Sequence, residues 1–379
     1  MVALLLASGF FEWTYDKMRE GTIRARVGHI QVTRKGYLDA GAADPFRYLI
    51  PEDSADRKVI ETFPYVETVA PRLSFNGLIS MGESTVSFQG DGVDPERERQ
   101  LSGAVKIVEG TDLSAIDAKE ALVGQGLAQT LGIKVGQSVV LIANTKTGGI
   151  NAIEVKVVGT FSTITKAYDD FALRLPIKSA QALLRTEGVH AWLVLLHRTS
   201  QTEKVLGRMR EKLTSPDLQL TPWYETQGAD FYNKTVSLFS KQVLVIRLMI
   251  GFIIVLSISN TMMTNVRDRT GEIGTCMALG DTRRVVLRRF LLEGLVMGLA
   301  GGLIGVVLGI GLAEVISSIG IPMPPPPGQA NAYVAGIVVT PLIVLNALVL
   351  SAITAFLAGV IPAWKASRLS IVDALRHAR

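Results

Sequence analysis

The sequence is short of the residues that covalent and metal chemistry use. A single cysteine, Cys276, excludes an intrachain disulfide, so a large polar domain here needs no oxidised bridge in whichever compartment it sits. The four histidines, His29, His190, His197 and His377, are scattered, and none belongs to an HExxH or to a cysteine and histidine cluster. Each reads as an ordinary surface or core histidine. No serine stands in a GxSxG elbow, which leaves a hydrolase without a nucleophile of that kind. No GxxxxGK(S/T) loop occurs either, so any ATP the chain depends on is bound by another subunit. Charge is scarce at 19% of residues, and the stretch from Gly320 to Tyr333 has no Lys or Arg at all.

What the sequence has instead is apolar residues, 48% of the chain, whose long uninterrupted runs lie after Val243. Val243 to Asn260, Leu291 to Ile319 and Gly336 to Ala363 are each long enough to cross a hydrocarbon core, which takes about 20 helical residues. Met1 to Phe11 is apolar over only about half a span and has no basic stretch before it. It reads as the outer half of a first helix whose beginning is missing. The expectation is a four-span α-helical membrane bundle, its first span truncated, with a large α+β domain inserted between spans one and two. The divisions are 1–20 for the first helix, 21–235 for the external domain and 236–266 for a stalk and second span. A polar segment at 267–289, a third span at 290–319, a Pro-rich loop at 320–335, a fourth span at 336–364 and a tail at 365–379 complete the chain.

The net charge of +5 speaks for membrane orientation and against nucleic acid, because the basic residues cluster at the ends of apolar spans. Arg267, Arg269, Arg283, Arg284, Arg288 and Arg289, against Asp268, Glu272 and Asp281, lie between the second and third spans. Lys365, Arg368, Arg376 and Arg379 follow the last one. Both segments are therefore cytoplasmic, and the loop without Lys or Arg faces outward together with the domain at 21–235. Arg247 and Arg267 are twenty residues apart, about 30 Å of helix, so each can snorkel to its own interface. A buried, functional Arg247 is the alternative. Phe231 to Gln242 continues without Gly or Pro, as a stalk would.

In the external domain, His29 to Thr33, Thr85 to Gln89, Ser138 to Ile142, Glu154 to Val158 and Ala191 to Leu196 alternate with period two and read as strands. Ser179 to Leu184 and Gln201 to Leu213 read as helices. Glu96-Arg97-Glu98-Arg99 reads as a solvated turn or helix face. Pro322 to Pro327, interrupted only by Met323, should form a stiff extended turn.

Two features of the membrane half invite function. Gly294, Gly298 and Gly302 form one ridge on the third span and Gly301, Gly305 and Gly309 another, faces that let helices approach closely within one bundle or between two copies. Between the spans, Gly280 suits the C′ position of a short helix, and Asp281 can N-cap a helix from Thr282 to about Ser318. That helix would be about 55 Å long, so its first turns stand in the cytoplasm as a rigid extension of the span. Glu293, one turn past Arg289, is placed to pair with it near the interface.

Gly271-Glu272-Ile273, Ala278-Leu279-Gly280, Arg283-Arg284, Leu291-Leu292-Glu293-Gly294 and the tail from Ile361 to Arg368, then Asp373 to Arg376, closely resemble the cytoplasmic pattern of FtsX-like ABC-transporter permeases. Gly126-Leu127-Ala128 through Gly136-Gln137, with Val157 to Phe161, resembles the periplasmic domain of MacB-type and lipoprotein-releasing Lol-type members. The resemblance implies a bacterial inner-membrane permease that is not itself an enzyme and binds no cofactor directly, with ATP and Mg on a partner ATPase dimer. It implies a coupling helix at Gly271, Glu272, Ile273, Met277, Ala278, Leu279 and Gly280 that docks on that ATPase. A second permease copy or paralogue, a periplasmic lipoprotein carrier and membrane lipids are the other implied partners. The expected work is mechanotransmission, moving lipoprotein or other hydrophobic cargo outside the membrane. Drug or peptide efflux, or a signalling scaffold that regulates cell-wall hydrolases, are the alternatives. The chain departs from MacB-type members in carrying no fused ATPase and from cell-division members in its larger external domain. Gly271 and Gly274 loosen the coupling helix, and the loop Leu184 to His190 is short for a carrier-holding hook.

Overall fold

The structure, a computed structural model, describes residues 1–379 except 42, 83, 102–104, 164, 214, 325–332 and 371–379. The expectations for Pro325, Pro326 and Pro327 and for Asp373 to Arg376, His377 and Arg379 fall outside the described residues. The chain divides into two units, one of residues 16–235 with 323–333 and one of residues 1–15, 236–322 and 334–379.

The larger unit has strands β1 (Ile30–Arg34), β2 (Ile50–Pro51), β3 (Val66–Met81), β4 (Ser84–Val93), β5 (Lys106–Gly110) and β6 (Glu120–Gly124). β7 (Ser138–Asn144), β8 (Ile150–Ser162), β9 (Ala172–Pro176), β10 (Gly188–Val189), β11 (Ala191–Leu196) and β12 (Leu218–Pro222) follow. All five segments read as strands from their alternation lie in or overlap strands. β12, β1, β11 and β3 are neighbours in that order and antiparallel throughout, with Ile30 opposite Val194 and Val32 opposite Trp192. Helix Ala55–Glu61 lies between β1 and β3 in the chain, and helix Thr202–Lys212 between β11 and β12. This is a βαββαβ unit of the ferredoxin-like kind.

Its sheet is covered on both faces. Ile60, Phe63, Val205, Leu206 and Met209 pack against Ile30, Val32, Val69, Trp192, Val194 and Leu196 on one side. On the other, Ala70, Ala191, Leu193 and Leu195 meet Ile23, Val27, Leu101, Trp223 and Ala229. Every residue of β11 is buried, so this strand is a continuous apolar run and not the alternating one expected. Apart from Leu101 of the helix Pro95–Leu101, the residues covering the second face belong to the π-helical turn Ile23–Val27, which follows the helix Val2–Thr22, and to the turns just before the helix Asp230–Asp268. Gly28, at φ +66°, turns the chain out of that π-helix into β1, and a Cβ there would press on the Val194 carbonyl oxygen at 3.1 Å.

The residues between β3 and β11 form a second core. β3 pairs with β4, β4 with β9, β9 with β6, β6 with β8, β8 with β7, and β7 returns to β3, closing a barrel. β3 serves both bodies, its first half pairing with β11 and its second half with β7. Leu73, Phe75, Ile79, Phe88, Val123, Leu141, Val157 and Leu173 fill the barrel. The loop at 184–190, the sequence's candidate hook, is tied down instead of projecting. β10 pairs with β2, and Gln181 Nε2 donates to the Glu187 carbonyl at 3.0 Å.

Where the two bodies meet, four charged side chains are buried together. Arg72 reaches Asp91 at 3.3 Å and Glu98 at 2.7 Å, and Arg174 reaches Glu98 at 3.0 Å. Tyr168 Oη and Ser74 Oγ also donate to Asp91, at 2.9 and 2.6 Å. Arg174 donates in addition to the carbonyl of Ala25 in the π-helical turn, at 2.8 Å. Burial opposes charge on Asp91 most strongly, but Arg72, Arg26, the Ser74 hydrogen bond and Arg174 together outweigh it and hold the carboxyl below its usual range. Burial likewise opposes charge on Arg72, and Glu98 and Asp91 reverse the balance and raise it. Burial, then the Asp91 charge, pushes Tyr168 up to about 12. Glu98 is only 6% exposed, which corrects the reading of 96–99 as a solvated face. The helix Pro95–Leu101 turns Glu98 inward while Glu96 and Arg97 stay on its outer side.

Two histidines are buried neutral. The Leu196 N–H donates to His29 Nδ1 at 3.0 Å, which leaves the proton on Nε2 to donate to Thr199 Oγ1 at 2.9 Å. Burial lowers His29 to about 4. His190 stacks on Tyr37 with ring centroids 5.1 Å apart, and burial lowers it to about 4 as well, against the pull of the Pro45 carbonyl. A base whose folded pKa is depressed adds stability above its unfolded value and loses it as pH falls through the folded value. The midpoint of thermal unfolding of the full chain, followed by tryptophan fluorescence, should therefore fall between pH 6.5 and about 4. His29→Gln and His190→Gln should each flatten that decline, and an equal slope in the variants would contradict the assignment.

Candidate functional site

In the smaller unit, the helices Gln227–Asp268, Arg283–Ile319 and Pro341–Ser367 are long and apolar enough to cross a membrane. The helix Val2–Thr22 packs with them, Phe11 lying against Phe239 at 5.8 Å between ring centroids. Arg247 donates to Ser8 Oγ at 3.0 Å, so this half-buried arginine ties the stalk helix to the first helix.

The glycines of the third span fall on two contacts. A Cβ on Gly298 would lie 2.1 Å from that of Ala355, one on Gly302 3.0 Å from Ser351 Oγ, and one on Gly294 3.1 Å from Met262 Sδ. This ridge is where the third span meets the helix Pro341–Ser367 and the stalk helix. Gly305 and Gly309 lie instead against Met1 and Leu5 of the first helix, at 2.6 and 3.4 Å from the added Cβ. Gly301 faces open space.

Between the stalk helix and the third span stands the short helix Thr270–Ala278. Arg269 leaves helical geometry at φ −100°, ψ 13°, and so breaks the long helix from the short one. Ile273 is buried and Met277 partly buried against Met262, Val266, Val286, Phe290, Ala363 and Ala366. Gly274 is buried on the same side, where its lack of a side chain suits a close approach. Glu272, Thr275, Ala278, Leu279 and Gly280 form the other side and are exposed. The chain reverses after Leu279 in a Schellman motif: Gly280, at φ +115°, donates to the Met277 carbonyl at 3.2 Å, and Asp281 donates to that of Cys276 at 3.0 Å. Leu279 is left at the apex, 84% exposed.

Two charge assignments change here. The third-span helix begins at Arg283 with Thr282 as its cap residue and no side-chain cap bond, so Asp281 lies one residue outside the cap position. Asp281 pairs with Arg289 at 3.1 Å, because helical side chains lean toward the N-terminus and Arg289 leans back to it. Glu293 is thereby left to Arg269 at the bend, at 3.5 Å, and does not pair with Arg289. Arg267, Arg283, Arg284, Arg288 and Arg289 are exposed around the short helix. Lys365 is exposed too, and Arg368 lies over the Trp364 ring at 4.6 Å.

The structure thus brings Ile273, Met277 and Gly274 into one packed base and presents Glu272, Ala278, Leu279 and Gly280 as one apex. The glycine ridges belong elsewhere in the bundle. Among the described residues, no cluster of His, Cys, Asp or Glu could hold a metal ion. Sequence reasoning missed the buried set Arg72, Asp91, Glu98 and Arg174, whose members come from four separate elements and carry no local signal.

Two family models match the chain. An FtsX-like permease C-terminal model covers residues 244–371, the short helix included. A MacB-like periplasmic core domain model covers residues 1–212. The macrolide export ATP-binding/permease protein MacB of Shewanella oneidensis is 26% identical over 85% of this chain and 48% of its own length. The chain therefore spans about half of that relative. The lipoprotein-releasing system transmembrane protein LolC of Xylella fastidiosa is 23% identical over 100% of this chain and 90% of its own. Among solved structures, the periplasmic region of MacB from Actinobacillus actinomycetemcomitans aligns with a TM-score of 0.40 at 13% identity, over 57% of this chain and 95% of that one. With a match to each half and a relative along the whole length, the chain belongs to the FtsX-like permeases that carry a MacB-like periplasmic core domain, ABC-transporter permeases of the MacB and LolC type.

Proposed function

We propose that the chain is the membrane subunit of a mechanotransmission complex in a bacterial inner membrane. A separate cytoplasmic ABC ATPase dimer binds ATP and Mg, and the apex at 271–280 receives its movement. The observation that carries this reading is Leu279. A leucine 84% exposed at the tip of a hairpin rimmed by arginines lies outside the apolar spans. Docked in a protein groove, it would stabilise the contact by about 1.5–3 kcal/mol through burial alone. Glu272 on the same side adds a charge that orients the contact.

The base of the apex favours transmission. Ile273 and Met277 are packed into the ends of three long helices, so displacement of the tip is passed to the bundle and not absorbed by a loop. The stalk helix and the helix Val2–Thr22 carry the chain from there to the periplasmic domain. We place this domain outside the membrane and count Val2–Thr22 as the fourth span, by the charge distribution and the likeness to MacB. A second copy or paralogue completes the complex.

For cargo, the reading is a lipoprotein or another hydrophobic molecule handled on the outer side, supported by the LolC relative, which matches along the whole chain. The tied-down loop at 184–190 argues against its acting as a hook for a periplasmic carrier. Export of a drug or peptide is the second reading, supported by the MacB relative.

Leu279→Asp should reduce co-purification of the cognate ATPase with the full chain by tenfold or more, a loss of about 1.4 kcal/mol or greater, with membrane insertion unchanged. Co-purification at the wild-type level would remove the apex from the interface. Gly280→Ala forces a side chain into positive φ and should destabilise the turn by about 1 kcal/mol. Hydrogen exchange across residues 276–281 should then quicken roughly fivefold; unchanged exchange would mean that the Schellman turn does not hold the apex.

A further inference from the structure

A cavity of about 330 Å³ opens between the outer end of the third span and the start of the last helix. Ile310, Ala313, Ile337, Val339 and Val344 give it apolar walls, with Glu314 and Thr340 among them. Its rim is built. Ser317 Oγ accepts from the Ile337 N–H at 2.9 Å and donates to the Ile337 carbonyl at 3.2 Å, and the Val338 N–H donates to the Gly9 carbonyl at 3.2 Å.

Glu314 makes no hydrogen bond or ion pair among the described residues. No cation lines the cavity, and Lys17 and Arg19 on the helix Val2–Thr22 and Lys234 and Lys241 on the stalk helix are outside its lining. Between Arg289 and Lys365 the sequence has no Lys, Arg or His, and residues 1–15 have none either, contributing only a further acid, Glu12. Arg247 on the stalk helix is engaged with Ser8. Depth matters as well. Glu314 lies twenty-five residues after Arg289 on one continuous helix, about 37 Å along its axis, against a hydrocarbon core of about 30 Å. With Arg289 at one interface, Glu314 stands among the headgroups of the other.

We propose that this cavity binds an amphiphile bearing a primary ammonium, its head against Glu314 and its apolar chain along Ile310, Ile337 and Val344. A primary ammonium supplies both the missing charge and N–H donors to the carboxylate, the stronger class of hydrogen bond. A quaternary ammonium supplies charge without donors. An ethanolamine phospholipid and an amine-bearing cargo share this chemistry. The site rests on reading these helices as membrane spans and not on coupling to an ATPase, so Leu279→Asp leaves it intact.

The test is native mass spectrometry of the full chain released from phosphatidylcholine nanodiscs doped with phosphatidylethanolamine or, separately, with dodecylamine. The wild type should retain the doped amine over phosphatidylcholine by fivefold or more, about 1 kcal/mol. Glu314→Gln should abolish the preference and Glu314→Asp keep part of it, both eluting as the wild type does in size exclusion. Preference for the phospholipid identifies a lipid site, and preference for dodecylamine alone identifies a cargo site. No preference in the wild type, or the same preference in Glu314→Gln, overturns the proposal.

Discussion

The larger unit depends on one constraint: a sheet that is apolar on both faces. Leu193 and Leu195 point away from the helices that cover Trp192, Val194 and Leu196, and would be left in water unless other chain covered them. Each such side chain buried contributes about 1.5–3 kcal/mol. What covers them, besides Leu101, is the chain at the two junctions with the long helices, Ile23 and Val27 on one side and Trp223 and Ala229 on the other. The junctions are therefore part of a hydrophobic core. Their displacement bears on the whole sheet, and the long β3 extends that sheet into the barrel.

The buried charges are a weak source of stability for this arrangement. Desolvating Arg72, Asp91, Glu98 and Arg174 costs several kcal/mol per ion before their attraction offsets it. A packed apolar set of similar volume could serve as well for stability alone. Removing one partner is a different matter, because it strands the others in a dry site at a cost of about 3–5 kcal/mol. The Arg174 bond to the Ala25 carbonyl makes the π-helical turn part of this set. A turn held both by apolar burial and by a charged side chain has few alternative seats, which would suit the proposed transmission of movement.

Much of the membrane half was legible in the sequence because its signals are local. Span length, arginine clustering and Gly280 at a helix end are each read within a few residues, and the helices and the left-handed glycine stand there. Two of the failures, Glu98 and Glu293, share one cause. Glu98 looked solvated because its partners Arg72 and Arg174 are far away in sequence, and Glu293 paired with Arg269 because the fold, not its own helix, brings that bend beside it. The ferredoxin-like order and the closed barrel follow from long-range strand pairing that period-two alternation cannot specify. Ala191 to Leu196 was read as a strand correctly and as alternating wrongly, since nothing in the segment says that helical junctions cover its second face.

The central claim of the proposed function is that movement received at the apex reaches the sheet of the larger unit through its junctions. Hydrogen exchange on the full chain in complex with its ATPase, with and without ATP, measures this at residues 23–27 and 223–229. The account predicts that ATP changes exchange in both segments in the wild type and in neither when Leu279 is replaced by Asp. Changes confined to the short helix and the ends of the spans, with both junctions unaffected in the wild type, would contradict it.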